Sequence, residues 1–345
     1  EVLKHVKWYG PSKTPKQICK RLGHICKNGA LLTDYERLDG TMSKFMHNTY
    51  KMSIKRWLHA DYRPEYDRLH NECFKKHACT STGLHYDAGD GTRSGSAITT
   101  DTNTCGCGFV CYFALRELGY TPEEAWELIG IICGDDGVND NIPGYAEAME
   151  KVARDLGLRL VVEKVEKNGP VKYCSRIFVD PLTCNDSFQD PKRTIPKLHL
   201  TANKNVTDEQ AAVNKAGGYM VTDAITPIVG DWCRKVQSLS KLAPKNLLHE
   251  EVYKYSMSWP QENCDAIREA FCKHLDITGA ELQRCVDMIK NLTSLEGFPT
   301  VLTIPFKNKL TAQVGSEIVG PIVSISDKKT EKPVPKARGQ RITNS

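Results

Sequence analysis

Three short stretches hold side chains whose types and spacing suit work on charged oxygen atoms. Gly134-Asp135-Asp136 lies between the apolar run Ile129-Gly130-Ile131-Ile132-Cys133 and Gly137-Val138. Two β-prone segments around a tight turn read as a hairpin whose tip carries adjacent carboxylates. Like charges a few ångströms apart repel, so such a tip is costly unless a cation sits on it. A second acidic pair, Asp34 and Asp39, follows the short apolar strand Ala30-Leu31-Leu32-Thr33. A strand-to-helix turn between these two would aim both at the same end of a sheet. The third stretch is Ser94-Gly95-x3-Thr99-x3-Asn103, a Ser-Gly hinge ahead of a helix with Thr99 and Asn103 one turn apart. That combination suits backbone and side chains that approach a sugar-phosphate chain closely. Taken singly, the acids have plainer readings: Gly-Asp-Asp as a turn, and Asp39 as a helix cap.

The elements that must position these groups follow from local signals. Thr14-Pro15-Lys16-Gln17 starts a helix that stops at Asn28-Gly29. Ile18, Cys19, Leu22, Ile25 and Cys26 form its apolar face, and Lys13, Lys16, Lys20, Arg21 and Lys27 lie elsewhere. Those cations are either a solvated face or a basic wall toward nucleic acid. Asp39-Gly40-Thr41 opens a long helix expected to run to about Ala60. Thr121-Pro122-Glu123-Glu124 caps a helix that delivers the chain into the Gly-Asp-Asp hairpin. A helical period covers Tyr145 to Leu156, closed by Gly157, and Leu158 to Val165 reads as a strand containing Lys164. Val171 to Val179, through Tyr173-Cys174-Ser175-Arg176, reads as one arm of a further hairpin. From Asp186 on, helices with polar connections are expected, started by Thr207 and Thr278. Two apolar stripes there, Ile267, Ala270, Phe271, His274 and Leu282, Cys285, Val286, Ile289, Leu292, read as core faces.

Composition bounds the rest. A chain of 345 residues with net charge +5 has room for two core-forming regions and allows a polyanionic partner. Its 14 cysteines show no framework spacing and read as reduced thiols of an intracellular protein. His70, Cys73, His77, Cys79 and His85 match no common structural-zinc spacing and read as packing and surface residues. Cys105, Cys107 and Cys111 likewise lack a further ligand. The longest apolar run, Phe109 to Leu115, is far short of the roughly 20 residues that span a bilayer. A first residue Glu1 rather than Met reads as a processed product or a fragment of something longer, with the fragment the preferred expectation.

In their joint order, Asp34-x4-Asp39, then Ser94-Gly95-x3-Thr99-x3-Asn103, then Gly134-Asp135-Asp136, these motifs resemble the palm of a viral RNA-dependent RNA polymerase, motifs A, B and C. The wording Leu38-Asp39-Gly40-Thr41 and Gly-Asp-Asp-Gly is most similar to nodaviruses and noda-like insect viruses. The resemblance implies an α+β fold: a right-hand palm of antiparallel sheet with packed helices, a mainly helical thumb, and fingers largely missing. Residues 1–29 would lead into the palm by a helix. The palm would comprise 30–60 (motif A) and 93–183 (motifs B to E), with a fingers-like insertion at 61–92. A mainly helical thumb at 184–320 and a disordered basic tail at 321–345 would follow.

The same resemblance implies template-directed RNA synthesis for viral genome replication, by nucleotidyl transfer from nucleoside triphosphates to an RNA 3′-OH. Asp34, Asp135 and Asp136 would hold two ions of Mg²⁺ or Mn²⁺. Asp39 would accept a hydrogen bond from the ribose 2′-OH, held by Asn103 and Thr99, and so select ribonucleotides. Ser94 and Gly95 would move with template translocation. Lys164 would protonate the leaving pyrophosphate, with Lys167 and Lys172 as rivals, and Cys174, Ser175 and Arg176 would grip the primer. Template and product RNA, nucleoside triphosphates and an absent upstream fingers region are the implied partners. Localisation would be the host cytoplasm at a membrane-bound replication complex, anchored through segments not in this chain. The rival readings are a reverse transcriptase and a catalytically incomplete palm serving as an RNA-binding or scaffolding module.

Overall fold

The computed structural model describes residues 5–198, 200–201, 205–245 and 259–295, together with the backbone of two strands at 311–314 and 317–321. The expected basic tail, 321–345, lies outside the described residues apart from its first position. The chain divides into two compact units. One draws its described residues from within Glu1–Lys13 and His24–Lys167, the other from within Thr14–Gly23 and Asn168–Lys332.

In chain order the elements begin with helix α1 (Pro15–Ile25) and strand β1 (Ala30–Tyr35), then helices α2 (Leu38–Thr41), α3 (Lys44–Trp57) and α4 (Arg63–Cys73). A small hairpin of β2 (His77–Cys79) and β3 (His85–Asp87) precedes the long helix α5 (Thr99–Glu117) and the short α6 (Pro122–Leu128). Strands β4 (Ile131–Cys133) and β5 (Asp136–Asp140), helix α7 (Tyr145–Asp155) and strand β6 (Leu160–Val165) complete the first unit, whereas most of α1 belongs to the second.

The first unit is built on an antiparallel sheet of order β4-β5-β1-β6. Along β1 the side chains alternate. Leu31, Thr33 and Tyr35 are buried, whereas Asp34 is exposed. Leu31, Tyr35 and Ile132 join Val110, Cys111, Ala114 and Leu115 of α5 and Met149, Val152 and Ala153 of α7 in one apolar core. The helices therefore cover one face of the sheet, and Asp34 stands on the other. Trp8–Gly10 runs beside β4: Ile132 N–H donates to the Trp8 carbonyl (2.8 Å) and Gly10 N–H to the Ile132 carbonyl (2.7 Å).

The helix expected from Asp39 to Ala60 is two helices. Met42 leaves helical geometry (φ −61°, ψ 115°), and the Ser43 side chain accepts from Met46 N–H to start α3. A serine that can satisfy a free amide favours a new start over continuation. The Thr14 and Thr121 starts have the reciprocal capping contacts their sequences suggest.

After α1, the second unit continues with an antiparallel sheet of β7 (Val171–Tyr173), β8 (Arg176–Phe178) and β9 (Ser187–Gln189). The stretch expected to be a single hairpin arm is thus a whole hairpin. Cys174 and Ser175 both take positive φ, 47° and 60°, as the two central residues of a type I′ turn must. Asparagine and glycine normally advertise that turn, and neither is present here. Helices α8 (Pro191–Thr194), α9 (Asp208–Thr222), α10 (Val229–Leu239), α11 (Cys264–Leu275) and α12 (Gly279–Lys290) follow, then the antiparallel pair β10 (Thr311–Val314) and β11 (Glu317–Pro321). Trp232, Phe271, Leu282 and Ile289 pack with Ile177 and Phe188 of the sheet, so the expected apolar stripes are buried faces. All 14 cysteines are free thiols. Among the described residues, no helix is long and apolar enough to cross a membrane.

Candidate active site

The register of the first unit's sheet brings the acidic stretches together. Thr33 pairs with Gly137 across β1 and β5. Continued by one step, that antiparallel ladder would set Asp34 opposite Asp136. Residues directly opposed in such a pair have Cβ atoms about 5 Å apart and share a face. Asp136 also faces Cys133 of β4, which leaves Gly134 and Asp135 as a two-residue turn. Gly134 has φ +64° and Asp135 does not enter the left-handed region, the pattern of a type II′ hairpin with glycine first. Asp34 is exposed, and its carboxylate has no hydrogen bond or ion pair with a described residue.

Beside the turn lies a cavity of about 470 Å³, walled by Tyr35, Arg37, Asp39, Ser94, Thr99, Asn103, Gly134 and Asp135 among others. It gathers residues from all three stretches. Asn103 Nδ2 donates to Asp39 Oδ1 at 2.7 Å, and Ser94 Oγ donates to Asp39 Oδ2. Thr92 Oγ1 in turn donates to Asn103 Oδ1 at 3.4 Å, which orients the amide so that its NH₂ meets the carboxylate. Thr99, expected to hold Asp39 as well, instead donates to the Arg93 carbonyl at 2.7 Å and ties the hinge to α5. Gly95 has φ +83°, with open space where a Cβ would stand.

The hinge itself is fixed from two directions. Thr92 N–H donates to the Asp39 carbonyl at 2.7 Å, and a Cβ on Gly91 would lie 2.6 Å from that oxygen, so only glycine allows this approach. Arg93 donates to the carbonyls of Lys75, Ala88, Gly89 and Gly91, lacing the glycine-rich loop around one guanidinium. On α5, Thr104 accepts from Gly134 N–H at 2.8 Å while its own hydroxyl donates to the Thr100 carbonyl at 2.7 Å. Consecutive residues of one helix therefore reach the two acidic elements: Asn103 holds Asp39, and Thr104 holds the turn before Asp135.

Burial, then Cys111 and the Asp135 charge, push the Cys107 thiol well above its ordinary range. Burial, then Asp101, lifts Cys105 to about 11. These cysteines are protonated packing groups beneath the site. Among the described residues, no three His, Cys, Asp or Glu side chains are grouped so as to hold a metal ion unaided. The donor set at the turn still fits Mg²⁺ or Mn²⁺: it is all carboxylate oxygen, and Mg²⁺ commonly takes one or two carboxylates with water and phosphate completing its shell.

Within this unit, one expected participant is not brought to this place. Lys164 pairs with Leu31, three positions from Asp34, which pairs with Val161. That is about 10 Å along the strand, and the odd offset puts Lys164 on the opposite face from Asp34. Its rival Lys172 belongs to the second unit and pairs with Asp190 at 3.0 Å. Arg176, expected on the primer, is buried in the second unit. Its guanidinium donates to Ser187 Oγ (3.1 Å), the Ser187 carbonyl (2.9 Å) and Asp223 Oδ2 (3.2 Å), under the Trp259 ring. A guanidinium so occupied is not free to grip RNA. Cys174 and Ser175 are the members of that trio at the turn, and Arg193 donates to Ser175 Oγ.

Arg37, Thr92, Arg93 and Thr104 belong to the site and were not among the sequence-derived candidates. Arg37 stands inside the Asp34-x4-Asp39 motif and Thr104 directly follows Asn103, so proximity was the available signal.

No family model matches the chain. It is 41% identical over 326 residues to the RNA-directed RNA polymerase of Pariacoto virus, covering 93% of this chain and 34% of that protein. The RNA-directed RNA polymerase of Pieris rapae virus is 38% identical over 339 residues, 96% of this chain and 33% of that protein. That of Flock house virus is 33% identical over 240 residues, 67% of this chain and 24% of that protein. The chain thus spans about a third of the length of the first two. A solved RNA-dependent RNA polymerase of a human picorbirnavirus aligns with 83% of this chain and 54% of its own at TM-score 0.48 and 15% identity, too slight a likeness to bear on the fold.

Proposed function

The chain is a relative, over about one third of their length, of nodavirus RNA-directed RNA polymerases, and on that premise we propose that it carries the catalytic centre for template-directed RNA synthesis. The first unit is the palm, and the helices of the second unit belong to the thumb. The observation that supports this reading is the pairing of Thr33 with Gly137, the neighbours of Asp34 and Asp136, at the end of the sheet that carries the Gly134-Asp135 turn.

Asp34, Asp135 and Asp136 are the residues that would hold two Mg²⁺ or Mn²⁺ ions, whose chemistry there is neutralising the triphosphate and activating the primer 3′-oxygen. Asp39 accepts the 2′-OH of the incoming ribonucleotide. Its two oxygens retain lone pairs beyond those used by Asn103 and Ser94, so the added contact needs no rearrangement. The same arrangement weighs against DNA synthesis, which offers no 2′-OH to accept. Thr104 keeps the Gly134-Asp135 turn in place, and Arg93 and Thr99 keep the Ser94-Gly95 hinge in place. Cys174 and Ser175 present the type I′ turn to the primer strand. The substrates are RNA template, RNA primer end and nucleoside triphosphates, used in viral genome replication in the host cytoplasm.

The test is templated incorporation of labelled ribonucleotides by the complete polymerase carrying this chain. Asp135→Ala should abolish incorporation while circular dichroism and the unfolding midpoint stay as in the wild type. Incorporation at the wild-type rate by that variant would refute the reading.

A further inference from the structure

Arg37 occupies a position that chain geometry disfavours. It follows β1 by two residues, within the Asp34-x4-Asp39 motif, and its backbone is left-handed, φ 53° and ψ 44°. A residue with a Cβ is uncommon there, and glycine would relieve the crowding. Strained backbone that persists in a cavity wall is a pointer to function. Seven non-glycine residues have positive φ among those described, and of these Arg37 alone lines the cavity beside Asp135.

Its charge is uncommitted. Arg37 is exposed, and its guanidinium has no hydrogen bond or ion pair with a described residue. The neighbouring acids have other partners. Glu36 faces Arg159 at 3.8 Å, and both oxygens of Asp39 accept from Asn103 and Ser94. A guanidinium offers five donors in a rigid fork that matches two oxygens of one phosphate. In a cavity whose other charged wall residues are the carboxylates Asp39 and Asp135, it marks where an anionic group of a ligand would sit.

We propose that Arg37 binds the triphosphate tail of the incoming nucleotide, forking two of its non-bridging oxygens. This rests on the polymerase reading and adds a substrate contact supplied by motif A itself. The contact is to phosphate and carries no information about base or sugar.

Inorganic tripolyphosphate in magnesium buffer, titrated by calorimetry into the 345-residue chain, tests this. Arg37→Gln and Arg37→Gly should weaken binding about ten-fold or more, the loss expected for a charge-assisted hydrogen bond. Arg37→Lys should fall between them and the wild type, because an ammonium keeps the charge but not the fork. Arg37→Gly relieves the backbone, so loss of binding in that variant is not a folding defect. In the complete polymerase, KM for nucleoside triphosphate should rise in all three variants, with kcat changed less. Equal tripolyphosphate affinity in all four proteins would overturn the proposal, as would a wild type that binds none. So would a loss confined to single-stranded RNA binding, which would assign Arg37 to the nucleic-acid backbone. Arg37-dependent tripolyphosphate binding alongside a complete wild-type polymerase without templated synthesis would refute the polymerase reading and leave the phosphate contact standing.

Discussion

Asn103 Nδ2 stands 2.7 Å from Asp39 Oδ1, so a helix and a strand-following turn separated by 64 positions meet through one hydrogen bond. That bond fixes the orientation of a half-buried carboxylate in the cavity wall, and Ser94 fixes its other oxygen.

If Asp39 reads the 2′-OH, loosening it should blur the distinction between ribose and deoxyribose. Asn103→Ala is expected to lower the ratio of ribonucleotide to deoxyribonucleotide incorporation about ten-fold, corresponding to one charge-assisted hydrogen bond. Competition assays with matched rNTP and dNTP pools measure it. An unaltered ratio would remove Asn103 from sugar selection.

Thr104 acts one position along the same helix. Thr104→Val keeps the shape but removes the oxygen that accepts Gly134 N–H, leaving that amide without its partner. The turn before Asp135 should loosen: kcat falls, KM for nucleotide changes little, and Thr104→Ser restores the rate. Hydrogen exchange at the Gly134 amide should speed up in the valine variant alone. Unchanged protection there would show that the threonine does not secure the turn.

Arg176 should matter to stability rather than to RNA. Removing Arg176 leaves the buried Asp223 carboxylate without its cation, at a cost of about 3–5 kcal/mol. Arg176→Ala should therefore lower the urea midpoint of unfolding, whereas the affinity of whatever folded protein remains for a primer-template duplex should match the wild type. A variant of normal stability with weakened duplex binding would restore the primer-gripping role.

The packing of α3 around His47 should be pH-sensitive. His47 is buried with its ring centroid 3.9 Å from that of Phe74, and His70, Asp90 and Arg93 are the titratable and charged groups that act on it. Burial first, then the charge of His70, holds the imidazole down at about 4. The folded protein thus favours the neutral ring more than the unfolded chain does. The stabilisation is full above the ordinary value near 6.5 and drains away as pH falls toward 4. Between pH 7 and pH 5 the loss should be about 2 kcal/mol. Urea titrations at the two values should show it, and His47→Phe should flatten the difference. A slope equal in both proteins would mean that His47 is not its source.

Much of this architecture is written in short-range pattern. The Thr14 and Thr121 starts, the apolar period of α7 and the strand leading to Asp34 each depend on neighbours within a few residues, and those could be read directly. Asn103 shared a helical turn with Thr99, which marked it as site-facing, although Thr99 proved to serve the hinge. What local pattern does not contain is register and depth. Lys164 looked well placed on the strand after α7, yet the pairing of Leu31 with Lys164 puts it on the opposite face from Asp34. Arg176 looked like a surface cation, and its burial depends on Asp223, 47 positions away. The Cys174-Ser175 turn carried no glycine to announce it, and the Met42-Ser43 break was hidden inside a sequence with helical period.

The pairing of Trp8–Gly10 with Ile132 has a practical consequence for anyone who trims this protein. A shortened version beginning at the capping box of α1 would strip the outermost partner from β4, the strand that leads into Gly134-Asp135. Bare amides and carbonyls along an unprotected strand are a template for another polypeptide. Self-association through that margin would distort the neighbouring hairpin and could pass for a catalytic defect, so truncations are best judged by monodispersity before turnover is assayed.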